Sequence, residues 1–136
     1  MTAEQNKAIV RRFYKAFEAN DLDMLKELLA PDFVAYNLNP QNRDEHLQGI
    51  RLWNGTFSEN RFEIIDQIAE GDRVASHVIM RCVHSKAAFQ GVAPSGKQIQ
   101  IPALTLERIR DGKIVERHVY SNRLSMLQQL GLVPSR

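Results

Sequence analysis

Three hydrogen-bonding side chains occupy every second position near the end of the chain: His118, Tyr120 and Asn122 in the stretch ERHVYSNRL. A spacing of two places them on one face of a strand, with about 6.6 Å between successive backbone positions. An imidazole titrating near ~6.5 can take up and return a proton at neutral pH. A phenol and a carboxamide can donate hydrogen bonds to a carbonyl or enolate oxygen. Lining an apolar cavity, such a row could move protons beside a carbonyl group; facing water it would only be solvated. The opposite register runs Lys113, Val115, Arg117, Val119 and Ser121. Its long cations suit an exposed surface, so the His118 face is expected to look inward. In the competing arrangement Val115 and Val119 face inward and the three polar groups meet solvent.

Other side chains are expected to border the same space. Tyr36 could contribute a second hydroxyl, and Trp53 and Phe57, four apart, could form a wall or lid. Phe17 and Met80 are core residues whose surface could reach the cavity, and His84 could stand as a second titratable group near its mouth. Each has a plainer alternative. Asn122 is well placed to cap a following helix, and the tyrosines can be core aromatics with satisfied hydroxyls. His46 is expected at the surface, and Glu107 and Glu116 as exposed strand charges, although Glu116 shares the His118 register.

The elements that must hold these groups follow from the pattern. Thr2 and Gln5 form a capping-box signature, and Ile9, Val10, Phe13 and Phe17 recur at helical spacing behind it. Asn20-Asp21 interrupts that helix, and Leu22, Leu25, Leu28 and Leu29 mark a second one ending at Pro31. A short strand and loop follow, then a short amphipathic helix through Leu47, Ile50, Trp53 and Phe57. From Arg61 the period becomes two. A turn at Glu70-Gly71-Asp72 leads into a long strand of roughly thirteen residues, about 43 Å, which must twist and bend. Its register Val74, Ser76, Val78, Met80, Cys82, His84 should face the helices; Ala75, His77, Ile79, Arg81, Val83 should face outward. A loop, another strand, an Asp-Gly hairpin turn, the His118 strand and a short helix closed by Gly131 and Pro134 complete the chain. Helices gathered on one side of such a sheet give an α+β layer fold, a cone with a hollow interior.

The 136 residues suit one domain, 1–136, with 43% hydrophobic and 25% charged residues and a net charge of +2. The basic run VRRFYK is broken by apolar positions and reads as a solvated helix face, so no nucleic-acid partner is expected. No apolar run nears the ~18 residues of a membrane span, so no membrane partner is expected either. A lone Cys82 allows no internal disulfide and no zinc spacing, which fits a reducing cytoplasm. The outward register of the long strand is apolar enough to be covered in a homodimer.

These stretches together resemble a known family. VRRFYKAFEANDLDMLKELLAPDFVAYN, EGDRVASHVIMRCVHS, GVAPSGKQIQIPALTLERIRDGKIVERH and LSMLQQLGLVP, in this order, are similar to the SnoaL-like polyketide cyclase and ester cyclase group of the nuclear-transport-factor-2-like superfamily. The resemblance implies a cystatin-like cone: a curved antiparallel sheet with N-terminal helices over it. It also implies a dimer and an apolar pocket for a small, polyketide-like molecule, with no metal or cofactor. In the characterised cyclases an acidic residue near the end of the last strand serves as general acid and base in an intramolecular aldol closure. That position falls on Asn122, and Tyr36-Asn37 stands where many relatives carry His-Asn. Asn cannot exchange a proton at useful pH, so His118 becomes the candidate proton carrier and Asn122 a hydrogen-bond donor. Two functions therefore remain: a cyclase- or isomerase-type enzyme, or a non-catalytic module binding an apolar small molecule.

Overall fold

The computed structural model describes residues 1–36 and 39–134. Helix α1 (Ala3–Glu18) begins at the Thr2–Gln5 capping box and buries Ile9, Val10, Phe13, Tyr14 and Phe17 on one face. Asp21 caps α2 (Leu22–Leu28) by accepting from the Met24 amide. Strand β1 (Leu29–Tyr36) begins two residues before Pro31, not after it. Proline forces its predecessor, Ala30, into extended backbone, which ends the helix early and makes Leu29 the first strand residue.

A two-residue strand β2 (Gln41–Asn42) leads into α3 (Arg43–Thr56), fastened by a second capping box between Asn42 and Glu45. Phe57, expected on that helix, is instead the first residue of β3 (Phe57–Glu70) and is fully buried. Strand β4 (Arg73–His84) is followed by β5 (Gln98–Arg110), β6 (Lys113–Ser121) and α4 (Arg123–Leu130). The Asp111-Gly112 turn has positive φ at both residues, 52° and 77°, as the primed hairpin turn requires.

The six strands form one curved, open sheet in the order β2-β1-β6-β5-β4-β3. It is mixed and not wholly antiparallel as expected, because β1 pairs parallel with β6. Register shifts in β3–β4 bend the long strands over α1. Val74, Ser76, Val78, Met80, Cys82 and His84 all face inward and are buried, as their alternation predicted. Among the described residues no helix is long and apolar enough to cross a membrane.

The last strand turns the other way from expectation. Arg108 pairs with Glu116 but Ile109 pairs with Ile114, so β6 carries one extra residue, Val115, at a bulge. A single inserted residue exchanges the two faces of everything beyond it. Ile114 points inward as its pattern suggests. Past the bulge it is Arg117, Val119 and Ser121 that face the cone, while His118 and Tyr120 lie on the outer face.

Candidate functional site

Inside the cone lies a cavity of about 280 Å³. Its wall is largely apolar: Phe17 from α1, Ile50 and Trp53 from α3, Phe62 from β3, Met80 from β4 and Ile101 from β5. The Trp53 indole is fixed by donating to Asn60 Oδ1 at 2.8 Å, and Asn60 in turn donates to Asn54 Oδ1 at 2.9 Å. The ring of Phe57 lies 4.2 Å from that of Trp53, so Phe57 backs the cavity wall without lining it.

One side of the cavity is polar, and it is built from residues the sequence reading placed elsewhere. Arg117, expected at the surface, is only 6% exposed and borders the cavity. Its Nε donates to Glu107 Oε2 at 3.1 Å. Glu107, expected as an exposed strand charge, is 0% exposed, directly opposite Arg117 in the β5–β6 ladder. Burial pushes the Glu107 carboxyl up to about 7, against the opposing pull of Arg117 and of the Thr105 hydroxyl. Thr105 donates to Glu107 Oε1 at 3.2 Å and lies 2.9 Å from the Tyr14 hydroxyl. Burial, as the largest influence, raises the Tyr14 phenol above its ordinary value, so it stays protonated at neutral pH.

His46, expected at the surface, completes this wall from α3. Its ring stacks on Phe13 at 6.3 Å and lies 5.4 Å from Phe33. Arg117 Nη1 can only donate, so His46 Nε2, 3.4 Å away, carries the lone pair. Nδ1 therefore holds the proton and donates to Gln41 Oε1 at 3.2 Å. Burial first, and the Arg117 charge second, lower the imidazole to about 3, so it is neutral. The guanidinium also sits 4.7 Å above the Phe13 ring, a cation–π contact that shields it from below. A fixed cation opening onto apolar surface can stabilise a developing oxyanion.

The remaining sequence candidates are dispersed. Phe17, Met80, Trp53 and Tyr36 border the cavity, Tyr36 at its rim, where its ring stacks 4.7 Å from His118 on the outer face. His118 lies 3.7 Å from Glu116 there, and Tyr120 is 71% exposed. Asn122 accepts from the Ser125 amide at 3.1 Å as the N-cap of α4, the capping role its sequence position also suits. His84 is fully buried, packs 5.2 Å from Phe57 and hydrogen-bonds the Ala87 carbonyl, away from the cavity. Asn37, paired with Tyr36 in the resemblance, lies outside the described residues. Among the described residues no group of three His, Cys, Asp or Glu side chains is placed to hold a metal ion.

The missed residues carried a signal. In QIQIPALTLERIR, Glu107 is in phase with Ile99, Ile101, Thr105 and Ile109, the buried register of β5. Its alternation placed a carboxylate inside, and a buried carboxylate needs a cation opposite it.

The likeness to known proteins follows the same frame. AclR of Streptomyces galilaeus, described as "a putative hydroxylase", is 26% identical, with a TM-score of 0.91 over 99% of this chain and 86% of its own. IdmH of Streptomyces antibioticus, described as "a putative polyketide cyclase", is 32% identical, with a TM-score of 0.84 over 93% of this chain and 99% of its own. TsrD of Streptomyces laurentii, at 19% identity, shares the fold with a TM-score of 0.87 over 98% of this chain and 99% of its own. No curated protein matches. Residues 8–130 match the SnoaL-like polyketide cyclase family across both the helices and the whole sheet, and the chain belongs to that family.

Proposed function

We propose that the protein catalyses a cofactor-free, aldol-type ring closure of a small polyketide-like molecule in the cavity of the cone. One observation carries this reading: the Arg117 guanidinium, locked between Glu107 and His46, opens onto a cavity whose other walls are apolar. A keto ester lying against Phe17, Trp53 and Met80 would direct a carbonyl oxygen at Arg117. The fixed cation lowers the energy of the enolate formed when an α-hydrogen leaves, and water excluded by the apolar walls cannot compete for it. Family membership and the likeness to IdmH support the substrate class.

The test is ring closure of a keto ester carrying a tethered ketone, followed by chromatography and mass spectrometry. Arg117→Gln is expected to cut turnover by about 100-fold or more, the cost of losing one oxyanion donor. Equal turnover in a folded Arg117→Gln protein would end the proposal.

A second reading, a binding module without chemistry, is favoured by Asn122, whose carboxamide is engaged as a helix cap where the resemblance expects an acid. A co-purifying organic molecule seen by native mass spectrometry and unchanged on incubation would support it. In either case we propose that the protein acts as a homodimer. Leu104, Ile68 and Tyr120 are 60%, 64% and 71% exposed, apolar side chains left uncovered by the chain itself.

A further inference from the structure

Glu107, Thr105 and Tyr14 form an unbroken hydrogen-bonded line across β5 and α1; Thr105 and, at the end of the line, Tyr14 border the cavity while Glu107 does not. We propose that Glu107 is the proton store of the cavity, filled and emptied through Thr105 and the Tyr14 hydroxyl. This rests on the cyclase reading above and assigns the proton carrier that Asn122 cannot be.

The direction of the line follows from counting donors. Thr105 has one O–H hydrogen. When Glu107 is ionised, that hydrogen is donated to Glu107 Oε1, and Tyr14 donates its own to Thr105 Oγ1. The Tyr14 oxygen then shows the cavity only lone pairs. When Glu107 is protonated, every bond reverses: Glu107 donates to Thr105, Thr105 donates to Tyr14, and the Tyr14 hydrogen points into the cavity. The charge on a buried carboxyl thereby decides whether the cavity meets an acceptor or a donor.

Ring closure uses both settings in turn. The substrate α-hydrogen leaves as a proton to the Tyr14 oxygen as Tyr14 passes its hydrogen to Thr105 and Thr105 passes its own to Glu107. The C–H electron pair becomes the enolate, held by Arg117. The enolate carbon forms the new C–C bond at the tethered carbonyl, whose π pair becomes an alkoxide. The line then runs backward, and Tyr14 protonates the alkoxide while Glu107 returns to its ionised form. No proton is gained or lost overall, and no other reagent is needed.

The surroundings leave Glu107 free to change charge. Arg117 from β6 is the charged group facing it, with neutral His46 from α3 beyond the guanidinium. On β4 Val74 lies opposite Glu107 and Ser76 opposite Thr105, both uncharged, and α1 contributes Tyr14. Against this setting Glu107 titrates near neutrality, within reach of both protonation states.

The deciding experiment reads the line directly by NMR of protein labelled with ¹³C at the tyrosine ring carbon bearing the hydroxyl. As pH carries Glu107 through its titration, the Tyr14 signal is expected to move in the wild type and in Thr105→Ser. It is expected to lose most of that movement in Thr105→Val, where the charge change remains but the hydroxyl is gone. Equal movement in Thr105→Val would overturn the relay. Alongside, deuterium uptake from D₂O is followed at the α-carbon of a non-cyclising aryl alkyl keto ester. Thr105→Val should slow uptake by about 100-fold, Thr105→Ser should restore it, and probe affinity read by Trp53 fluorescence should change by far less than the rate. Uptake in Thr105→Val at the wild-type rate would also refute the relay. No uptake in the wild type with the Tyr14 coupling intact would count against the cyclase reading and leave the relay supported.

Discussion

Glu107 and His46 both contact Arg117, at Nε and Nη1, and their titrations should cancel in the stability of the wild-type protein until one of them is removed. The folded protein keeps Glu107 protonated up to about 7, whereas the ordinary carboxyl value is 4.5. The folded state thus binds a proton that the unfolded chain has released. The stability this group contributes is complete below about pH 4.5 and is lost as pH rises through 7. His46 behaves in the opposite sense. It stays neutral down to about 3 when folded, against an ordinary 6.5, so its contribution is complete above 6.5 and lost as pH falls toward 3. Between pH 4.5 and 6.5 the two slopes have opposite sign and approach about 1.4 kcal/mol per pH unit in the middle of the window.

Over those ~2 units each limb amounts to between about 2 and 3 kcal/mol, a ceiling for His46 because it borders the cavity. Glu107→Gln leaves the His46 limb alone, so the variant should gain between about 2 and 3 kcal/mol relative to wild type between pH 4.5 and 6.5. His46→Gln should lose as much over the same interval. Urea unfolding at fixed ionic strength reads this as a midpoint moving by about 2 M for a domain of this size, in opposite directions for the two variants. Exposed carboxylates contribute equally to all three proteins and drop out of the difference. Variant curves running parallel to the wild type across that window would refute the placement of both groups, since a solvated Glu107 and a solvated His46 have nothing to cancel.

Two further outcomes separate the cavity from the face opposite it. His118→Ala should leave turnover unchanged, because its ring stacks on Tyr36 outside the cone, and Asn122→Ala should lower stability by about 1 kcal/mol through loss of the α4 cap while sparing turnover. Both are read by urea unfolding together with the ring-closure assay, and a collapse of turnover in either folded variant would return the chemistry to the end of β6. Tyr120→Glu or Leu104→Lys should convert a dimer to a monomer by light scattering at micromolar concentration without unfolding it, and an unchanged mass in both would exclude this face as the interface.

Alternation made the scaffold legible. The inward register of β4 was readable residue by residue, because Val74, Val78, Met80 and Cys82 hold one phase of the alternation, interrupted only by the small Ser76. The start of α1 was equally plain, since the Thr2–Gln5 capping box is local chemistry between residues three apart; the matching box of Asn42 and Glu45 at α3 is equally local but went unread. The parallel docking of β1 on β6 was not readable, because it joins segments some eighty residues apart with no local mark. Neither was the position of His46: it depends on α3 laying its side chain between Phe13 and Phe33, a contact made only in three dimensions.

One feature of β6 hides the site from the sequence pattern and also sets where its polar wall sits. On β6 the apolar pattern is Ile114, Val115, Val119, which fits neither strict register; two adjacent buried residues are the mark of an inserted one. Had β6 run without the bulge, His118, Tyr120 and Asn122 would face the cone, and Arg117 would stand in water with Glu107 buried alone. An unpaired buried carboxylate costs several kcal/mol, so that arrangement is the less stable of the two. The Glu107–Arg117 pair and the bulge therefore require each other: the alternation of β5 places the acid inside, and only the shifted β6 can bring a cation to it. Once that pair is fixed in mid-sheet, the residue at the end of β6 is released from proton chemistry. Asn122 can then serve purely as the cap of α4, with the buried titratable carboxyl, Glu107, on the neighbouring strand.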